Sequence, residues 1–191
     1  VLALLAQVAC ASHSATQSTD PFEATNRRVS YFNDRVDETV LRPVAVGYKN
    51  NVPDVLQKGV NNFFGNLRDI WSTLNNGLQA KPMETAETGL RVAVNSVFGI
   101  YGLFDVATMV GIERHSADFG QTMGYWGVAP GPYVVLPLLG PSTLRDGASL
   151  PVDTKGNLVR HLEEVPARNT LTVINLVDKR ARLLKATDQV D

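Results

Sequence analysis

The sequence has little of what enzymes and nucleic-acid-binding proteins usually require. Its single cysteine excludes an intramolecular disulfide. Charged residues make up only 19% of the 191 residues and leave a formal net charge of -1, so no strong field attracts a polyanion. The three histidines are isolated, and none has the H-x-x-x-H spacing that places two metal ligands on one helical face. We therefore expect no metal centre, no cofactor and no nucleic-acid partner.

Long hydrophobic runs and catalytic motifs are also missing. No stretch reaches the roughly 20 uninterrupted apolar residues of a membrane-spanning helix, and the closest, residues 92–112, is broken by Asn95, Asp105 and several glycines. The sequence has no G-x-S-x-G motif, so nucleophilic catalysis would need an unrecognised serine beside His115 or His161. We predict that the protein is not an enzyme.

The first 19 residues have the composition of a lipoprotein leader. Residues 1–9 are mostly apolar and end in small side chains, and Cys10 is followed by small polar residues. We interpret residues 1–9 as the remnant of a signal peptide and residues 10–19 as a lipidated cysteine with a flexible tether. Acyl chains on Cys10 would each contribute about 0.8 kcal/mol per buried methylene to membrane binding. Gln7 stands where these leaders usually have leucine, and the alternative is an ordinary signal peptide followed by a stray cysteine.

Residues 20–191 are expected to form one domain, and proline and capping patterns predict where its helices begin. Residues 20–23 read Asp-Pro-Phe-Glu, in which a capping acid, a proline at the first helical position and a later acid mark a helix start. The apolar period that follows predicts a helix ending before Pro43. A second start at Pro53 opens about seven helical turns, with an interruption expected near Asp69.

The remaining segments are predicted to be helical as well. A third helix begins after Pro82 and becomes apolar on all sides, and the glycines beyond residue 98 favour a hairpin or kinked pair of helices, since each costs about 1 kcal/mol in a helix. Asn169 or Thr170 would open the last helix. Convincing alternating strands are absent from the sequence, so the predicted fold is all-α, with its helices in a flat arrangement.

Residues 131–146, GPYVVLPLLGPSTLRD, are the most unusual segment of the chain. Pro132, Pro137 and Pro141 each lack a backbone donor, so we expect an ordered apolar loop that lies outside any sheet and does not run as one helix. Ser142 is predicted to cap a short helical turn over residues 143–146, and Arg145 is expected to pair with a nearby acid.

Together with DPFEATNR (residues 20–27), NNFFGNLRD (61–69) and YWGVAPG (125–131), this segment resembles the MlaA (VacJ) family of outer-membrane lipoproteins. The resemblance covers residues 10–184. It implies a flat, ring-like arrangement of amphipathic helices in the inner leaflet of the outer membrane, facing the periplasm. It also implies that phospholipid leaves the outer leaflet through an amphipathic passage, which maintains lipid asymmetry. The partners it implies are phospholipid, a trimeric outer-membrane porin and a soluble periplasmic lipid carrier.

The same resemblance suggests which residues line the passage. They belong to a helix segment and to an apolar hairpin, and they are Asn62, Phe63, Phe64, Asn66, Phe98, Gly99, Tyr101, Gly102, Leu103, Phe104 and Asp105. From the residues alone, the hairpin could equally be buried with Asp105 as a helix cap, and packing of Phe63 and Phe64 against neighbouring helices is the simpler interpretation. Two other functions stay open at this point: a passive scaffold lipoprotein that carries no lipid, and a membrane-bound lipid hydrolase.

Overall fold

The computed structural model describes residues 20–187, which are mostly helical and confirm the all-α prediction. The α-helices are α1 (Glu23–Val36), α2 (Arg42–Asn51), α3 (Asp54–Leu78), α4 (Pro82–Val97), α5 (Val106–Met109), α6 (Phe119–Tyr125), α7 (Leu144–Gly156) and α8 (Val165–Thr187). A π-helical turn (Asp37–Leu41) joins α1 to α2, and a 3-10 turn (Leu158–His161) precedes α8. Two strands, β1 (Tyr133–Leu136) and β2 (Gly140–Thr143), pair antiparallel. The ring-like arrangement stays a prediction.

The interior of the described chain is unusually polar. The largest fully buried side chains are Arg91, Asn75, Asn95, Thr88, Asp69 and Asp178. The buried apolar cluster, by contrast, consists of Ala45, Ala181 and Leu184 between α2 and α8. Because buried polar groups must be hydrogen-bonded to be tolerated, the helices are held together mainly by polar networks.

Asparagine side chains on α3, with Gln79 at its C-cap, show how such a network works. Asn76 donates from Nδ2 to the carbonyl of His115 at 2.9 Å, which fixes the segment between α5 and α6. Gln79 donates to Thr122 Oγ1 at 3.0 Å, and Thr122 in turn donates to Asn75 Oδ1 at 2.9 Å, which fixes α6. The polar face of α3 therefore points inward, and many large apolar side chains elsewhere are left at the surface.

The helix predicted to end before Pro43 continues through it, so that prediction is wrong. The backbone widens into the π-helical turn Asp37–Leu41, and Pro43 lies in the first turn of α2, where a missing backbone donor is tolerated. Arg180 of α8 holds this turn with a bidentate ion pair to Asp37, at 2.6 and 2.7 Å. The irregularity is thus fixed by a tertiary contact that the local sequence does not reveal.

Two further helix boundaries also differ from prediction. The interruption expected near Asp69 is absent from α3, because Asp69 is buried against arginine partners from other elements and does not compete for the helix backbone. The last helix opens at Val165, ahead of the predicted Asn169 or Thr170, because Pro166 is accommodated in its first turn.

The apolar segment 131–146 forms a β-hairpin that runs directly into α7, so the prediction of a loop outside any sheet is wrong. In a two-stranded sheet both strands are edges, and an edge tolerates proline: Pro141 of β2 lies opposite Val135, and Pro137 lies in the turn. Thr143, not Ser142, caps the helix that follows, accepting at Oγ1 from the amide of Asp146 at 3.2 Å.

Two asparagines of α1 satisfy the free edge of this hairpin. Asn26 accepts from the amide of Val135 at 2.8 Å and donates to the carbonyl of Tyr133 at 3.1 Å. Asn33 repeats the pattern further along, accepting from Leu138 N at 2.8 Å and donating to Leu136 O at 3.0 Å. The two side chains act as a third strand would, which explains how the short hairpin keeps its backbone groups paired.

Between residues 20 and 187, no helix combines the length and the hydropathy needed to cross a bilayer.

Candidate functional site

An apolar turn, residues 98–105, connects α4 to α5 and is the most exposed apolar feature near the predicted site. Ile100 and Tyr101 have φ angles of 50° and 54°, in the left-handed region that costs non-glycine residues about 1–2 kcal/mol each. This conformation directs Tyr101 and Phe98 outward, with 79% and 72% of their surface accessible. The exposed apolar side chains of the turn and its flanks are Val97, Phe98, Ile100, Tyr101, Leu103, Phe104, Met109 and Val110.

The inner side of the turn is fixed to α3 and α4 by polar contacts. Asn62 donates to the carbonyl of Leu103 at 3.1 Å, and Asn66 donates to Ser96 Oγ at 3.1 Å. Gly102 has a φ of +89° and lies so close to Asn66 that a Cβ atom on it would be 2.6 Å from the Cβ of Asn66. The turn therefore has a rigid backbone with apolar side chains on its outer face.

The close approach of Gly102 gives a stability prediction with a matched control. Gly102→Ala adds a methyl group at a left-handed residue that is also crowded, whereas Gly127→Ala adds it at φ +91° with nothing within 4 Å. Both variants pay the backbone cost, and overpacking adds about 1–3 kcal/mol at Gly102 alone. Chemical denaturation should show G102A destabilised more than G127A by that amount; equal losses would contradict the described packing.

Beneath the turn lies a buried ion cluster centred on Arg91. Only 1% of the Arg91 side chain is exposed, and its Nη2 donates to both carboxylate oxygens of Asp105 at 2.7 and 2.9 Å. Its Nη1 donates to the carbonyl of Ile112, and its Nε lies 3.7 Å from Asp69 Oδ2. Arg114 donates from Nε to the same Asp69 oxygen at 3.1 Å. The two arginines and two aspartates therefore bind α3, α4, α5 and the following segment together.

Asn95 completes the cluster, and Asp105 also caps α5. Asn95 donates to Asp105 Oδ1 at 3.1 Å and accepts from the amide of Ala107 at 2.8 Å, and Thr108 donates from both its amide and its hydroxyl to Asp105. Both oxygens of Asp105 are occupied by these donors. The arrangement leaves no carboxylate free to act on a substrate, so we interpret the cluster as support for the turn.

The two aspartates have pKa values shifted in opposite directions. For Asp69, burial raises the pKa by more than Arg114 and Arg91 lower it, so the pKa lies above its ordinary value. Burial acts in the same direction on Asp105, but hydrogen bonds from Thr108 and Asn95, with the charge of Arg91, lower the pKa below the ordinary value.

The lowered pKa of Asp105 predicts a pH effect. Because folding lowers this pKa below its unfolded value of about 3.9, ionised Asp105 stabilises the fold above that pH, and the contribution is lost as the pH falls through the folded pKa. Wild type should therefore be more stable than Asp105→Asn by a constant margin above about pH 5, and the margin should shrink below about pH 4. Urea denaturation of both proteins across this range measures the margin. A margin independent of pH would refute the assignment.

The structure brings most of the predicted site residues together. Asn62 and Asn66 contact the turn or its flank. Asp105 caps α5, as one of the two open interpretations expected, but the burial of the hairpin that went with it is wrong, because Phe98 and Tyr101 are exposed. Phe63 and Phe64 contact each other edge to face with ring centroids 5.3 Å apart, and Phe64 is buried. Their contact with lipid stays a prediction, and Cys10 lies outside the described residues.

Sequence reasoning missed the arginines of the cluster. Arg91 and Asn95 are four residues apart in the largely apolar second half of α4, so they share one helical face, and a single charge in such a stretch is the signal that could have identified them. Residues 20–187 contain no group of three or more ligand-type side chains placed to hold a metal ion.

A cavity of about 510 Å³ opens between α3, α6, α7, the 3-10 turn and α8. Trp71 forms part of its wall and donates from Nε1 to Asp153 Oδ1 at 2.9 Å. Gly156 packs against the indole so closely that a Cβ atom there would overlap the ring of Trp71. Phe64, Leu67, Leu150, Leu158 and Val159 supply apolar walls, and Arg68, Asp118, Gln121, Arg160, Asn175 and Lys179 supply polar ones.

Comparison with known proteins places this geometry in context. The family model of the MlaA lipoprotein matches residues 18–191. The intermembrane phospholipid transport system lipoprotein MlaA of Escherichia coli K12 is 39% identical over 145 residues, which cover 73% of this chain and 58% of that protein. An uncharacterised protein of Rickettsia typhi is 44% identical over 127 residues, 66% of this chain and 51% of that protein. The chain thus spans between about half and three fifths of the length of these relatives.

A solved structure is also similar. A chain described under "Structural basis for maintenance of bacterial outer membrane lipid asymmetry" superposes with a TM-score of 0.75 and 35% sequence identity. The superposition covers 88% of this chain and 86% of that one.

Proposed function

The chain belongs to the MlaA lipoprotein family, and on this basis we propose that it is an outer-membrane lipoprotein of a Gram-negative bacterium that maintains lipid asymmetry. In this proposal Cys10 carries the lipid anchor and the body faces the periplasm. Phospholipid that has reached the outer leaflet enters an amphipathic passage and is handed to a soluble periplasmic carrier. A trimeric porin holds the lipoprotein in the membrane, and the protein itself catalyses no reaction.

The apolar turn carries this proposal. The turn holds two non-glycine residues in left-handed conformations, which costs free energy. Exposing the apolar side chains of Phe98 and Tyr101 to water does not offset that cost. Contiguous apolar surface of this kind is typical of membrane or partner contact. The buried ion cluster supports the same interpretation, because it stiffens the turn from below without offering a free reactive group.

The cavity supports the passage of an amphiphile. A phospholipid needs polar groups around its head and apolar walls beside its tails, and the cavity beside Trp71 provides both. Transport through the protein would be passive, and its direction would come from the carrier and the machinery behind it. The names of the relatives, which include intermembrane phospholipid transport lipoproteins, favour this function over a scaffold that carries no lipid.

Deleting the gene tests the function in cells. We expect the deletion strain to become hypersensitive to detergent combined with EDTA, because phospholipid patches in the outer leaflet weaken the barrier, and we expect phospholipid accessible from outside the cell to increase. A plasmid copy of the gene should restore both properties. Unchanged sensitivity and unchanged surface phospholipid would contradict the proposal.

A further inference from the structure

Three cations line the cavity without partners. Arg68 projects from α3, Arg160 from the 3-10 turn and Lys179 from α8. Across residues 20–187, the side chains of these three residues form neither a hydrogen bond nor an ion pair. They come from three separate elements, so the fold itself concentrates positive charge at this cavity.

The acids of the same cavity are, by contrast, fully engaged. Asp153 accepts from Trp71 Nε1 and from the amide of Phe119, at 2.9 and 2.8 Å, and its other oxygen accepts from Ser149 at 2.9 Å. Asp118 caps α6, accepting from the amide and the side chain of Gln121 at 2.7 and 2.9 Å. The carboxylates thus accept hydrogen bonds from donors within the chain, whereas the N–H donors of the three cations are available to a ligand.

The electrostatic surroundings of Lys179 and Arg68 also favour binding of an anion. Burial lowers the pKa of Lys179, and the nearby charges of Arg68 and Arg182 lower it further. For Arg68, burial again acts first and lowers the pKa, followed by repulsion from Arg182 and Arg114, while attraction from Asp69 and Asp178 acts the other way without outweighing them. Both side chains are exposed where they line the cavity, beside other cations, so an anion bound there would relieve the repulsion between them.

We propose that this cavity binds the phosphodiester headgroup of a phospholipid, with Arg68 and Lys179 contacting the phosphate oxygens. The guanidinium of Arg68 offers a planar pair of donors that matches two phosphate oxygens, and Lys179 adds a compact charge beside it. The glycerol backbone lies against Trp71 and Leu150. At about 510 Å³ the cavity is within the usual size of a small-ligand site, so it encloses the head and leaves the long acyl chains outside.

This inference rests on the proposed function and adds a position and a charge preference to it. Lipids with a net negative head should bind more tightly than zwitterionic ones, because an ammonium on the headgroup would meet the unpaired cations. Added salt should weaken binding, since the contact is between charges that solvent reaches.

Trp71 gives a direct signal for the test. The sequence has two tryptophans, so a Trp126→Phe background leaves Trp71 as the only one, and its fluorescence reports on the cavity wall. The full chain in a phosphorus-free mild detergent is titrated with dihexanoyl phosphatidylglycerol, with dihexanoyl phosphatidylcholine and with inorganic phosphate. We expect saturable binding of the first, weaker binding of the second and little response to the third.

Charge removal then identifies the binding residues. Arg68→Gln with Lys179→Gln should weaken phosphatidylglycerol binding at least tenfold and reduce its salt dependence, whereas Lys58→Gln with Arg28→Gln should leave both unchanged. Lys58 and Arg28 are exposed cations on α3 and α1 that do not line the cavity. Lys179→Gln alone, at an exposed side chain, repeats the test if the double variant fails to fold.

The outcomes separate the two proposals. Unchanged affinity in the cavity variants, or equally tight binding of inorganic phosphate, would overturn the headgroup site. If wild type still restores the barrier of the deletion strain in that case, only the headgroup site is wrong and the proposed function stands. If wild type neither binds phospholipid nor restores the barrier, the proposed function itself fails.

Discussion

Replacing Arg91 with methionine should lower the free energy of unfolding by about 3–5 kcal/mol, the cost of leaving buried charges without their partner. Arg91 contacts Asp105 with two hydrogen bonds and lies close to Asp69, and 1% of its side chain is exposed. Methionine fills a similar volume but offers no donor, so both aspartates and the carbonyl of Ile112 lose a partner. Urea denaturation in mild detergent, followed by far-UV circular dichroism, measures the loss.

Arg27→Met is the control for this prediction. Arg27 pairs with Glu23 on the surface of α1, with 80% of its side chain exposed, and such pairs contribute at most about 1 kcal/mol. Truncating it should therefore change stability by a small fraction of the effect at Arg91. Similar losses at the two positions would mean that the cluster beneath the turn is solvated and does not hold the helices together.

Placing aspartate at both Phe98 and Tyr101 should remove transport activity while preserving the fold. These side chains are 72% and 79% exposed and make no core contact that the change would break, so stability should change by less than about 0.5 kcal/mol. Two carboxylates on the outer face of the turn would have to enter the lipid, at a cost of several kcal/mol each. The double variant, expressed in the deletion strain, should leave it as sensitive to detergent and EDTA as the empty vector does.

Met83→Asp provides the matched comparison. Met83 is 66% exposed and lies at the other end of α4, about 20 Å from the turn at 1.5 Å per residue. We expect this variant to restore the barrier fully. Restoration by the Phe98 and Tyr101 variant as well would show that the turn does not need its apolar character, and the part of the proposal that depends on it would be wrong.

The sequence predicted where helices begin better than it predicted which side chains of each helix are buried. Pro53 and Pro82 correctly placed α3 and α4, and the cap at Asp105 was one of the alternatives considered, because these signals are local. Pro43 misled the prediction, since the π-helical turn that accommodates it is held by Arg180, far away in the chain. The hairpin at residues 131–146 was missed for a similar reason, because its free edge is satisfied by Asn26 and Asn33.

The periodicity of apolar residues could not predict the buried polar network. Pattern analysis assumes that the apolar face of a helix points inward, whereas α3 turns Asp69, Asn75 and Asn76 toward its neighbours. The predicted site residues around the turn were named because a family resemblance supplied them, and their contact with lipid stays a prediction. The cations of the cavity were not found, because Arg68 and Lys179 meet only in the folded chain.

Mass spectrometry of lipid that co-purifies with the protein tests the central claim most directly. The full-length lipoprotein is extracted from membranes in mild detergent, purified alongside an unrelated outer-membrane lipoprotein, and its bound lipid is identified and counted. We predict intact diacyl phospholipid in a fixed ratio to protein and well above the level on the unrelated lipoprotein. Lyso-phospholipid would identify a hydrolase, and no enrichment over the unrelated lipoprotein would identify a scaffold; either result would contradict the account.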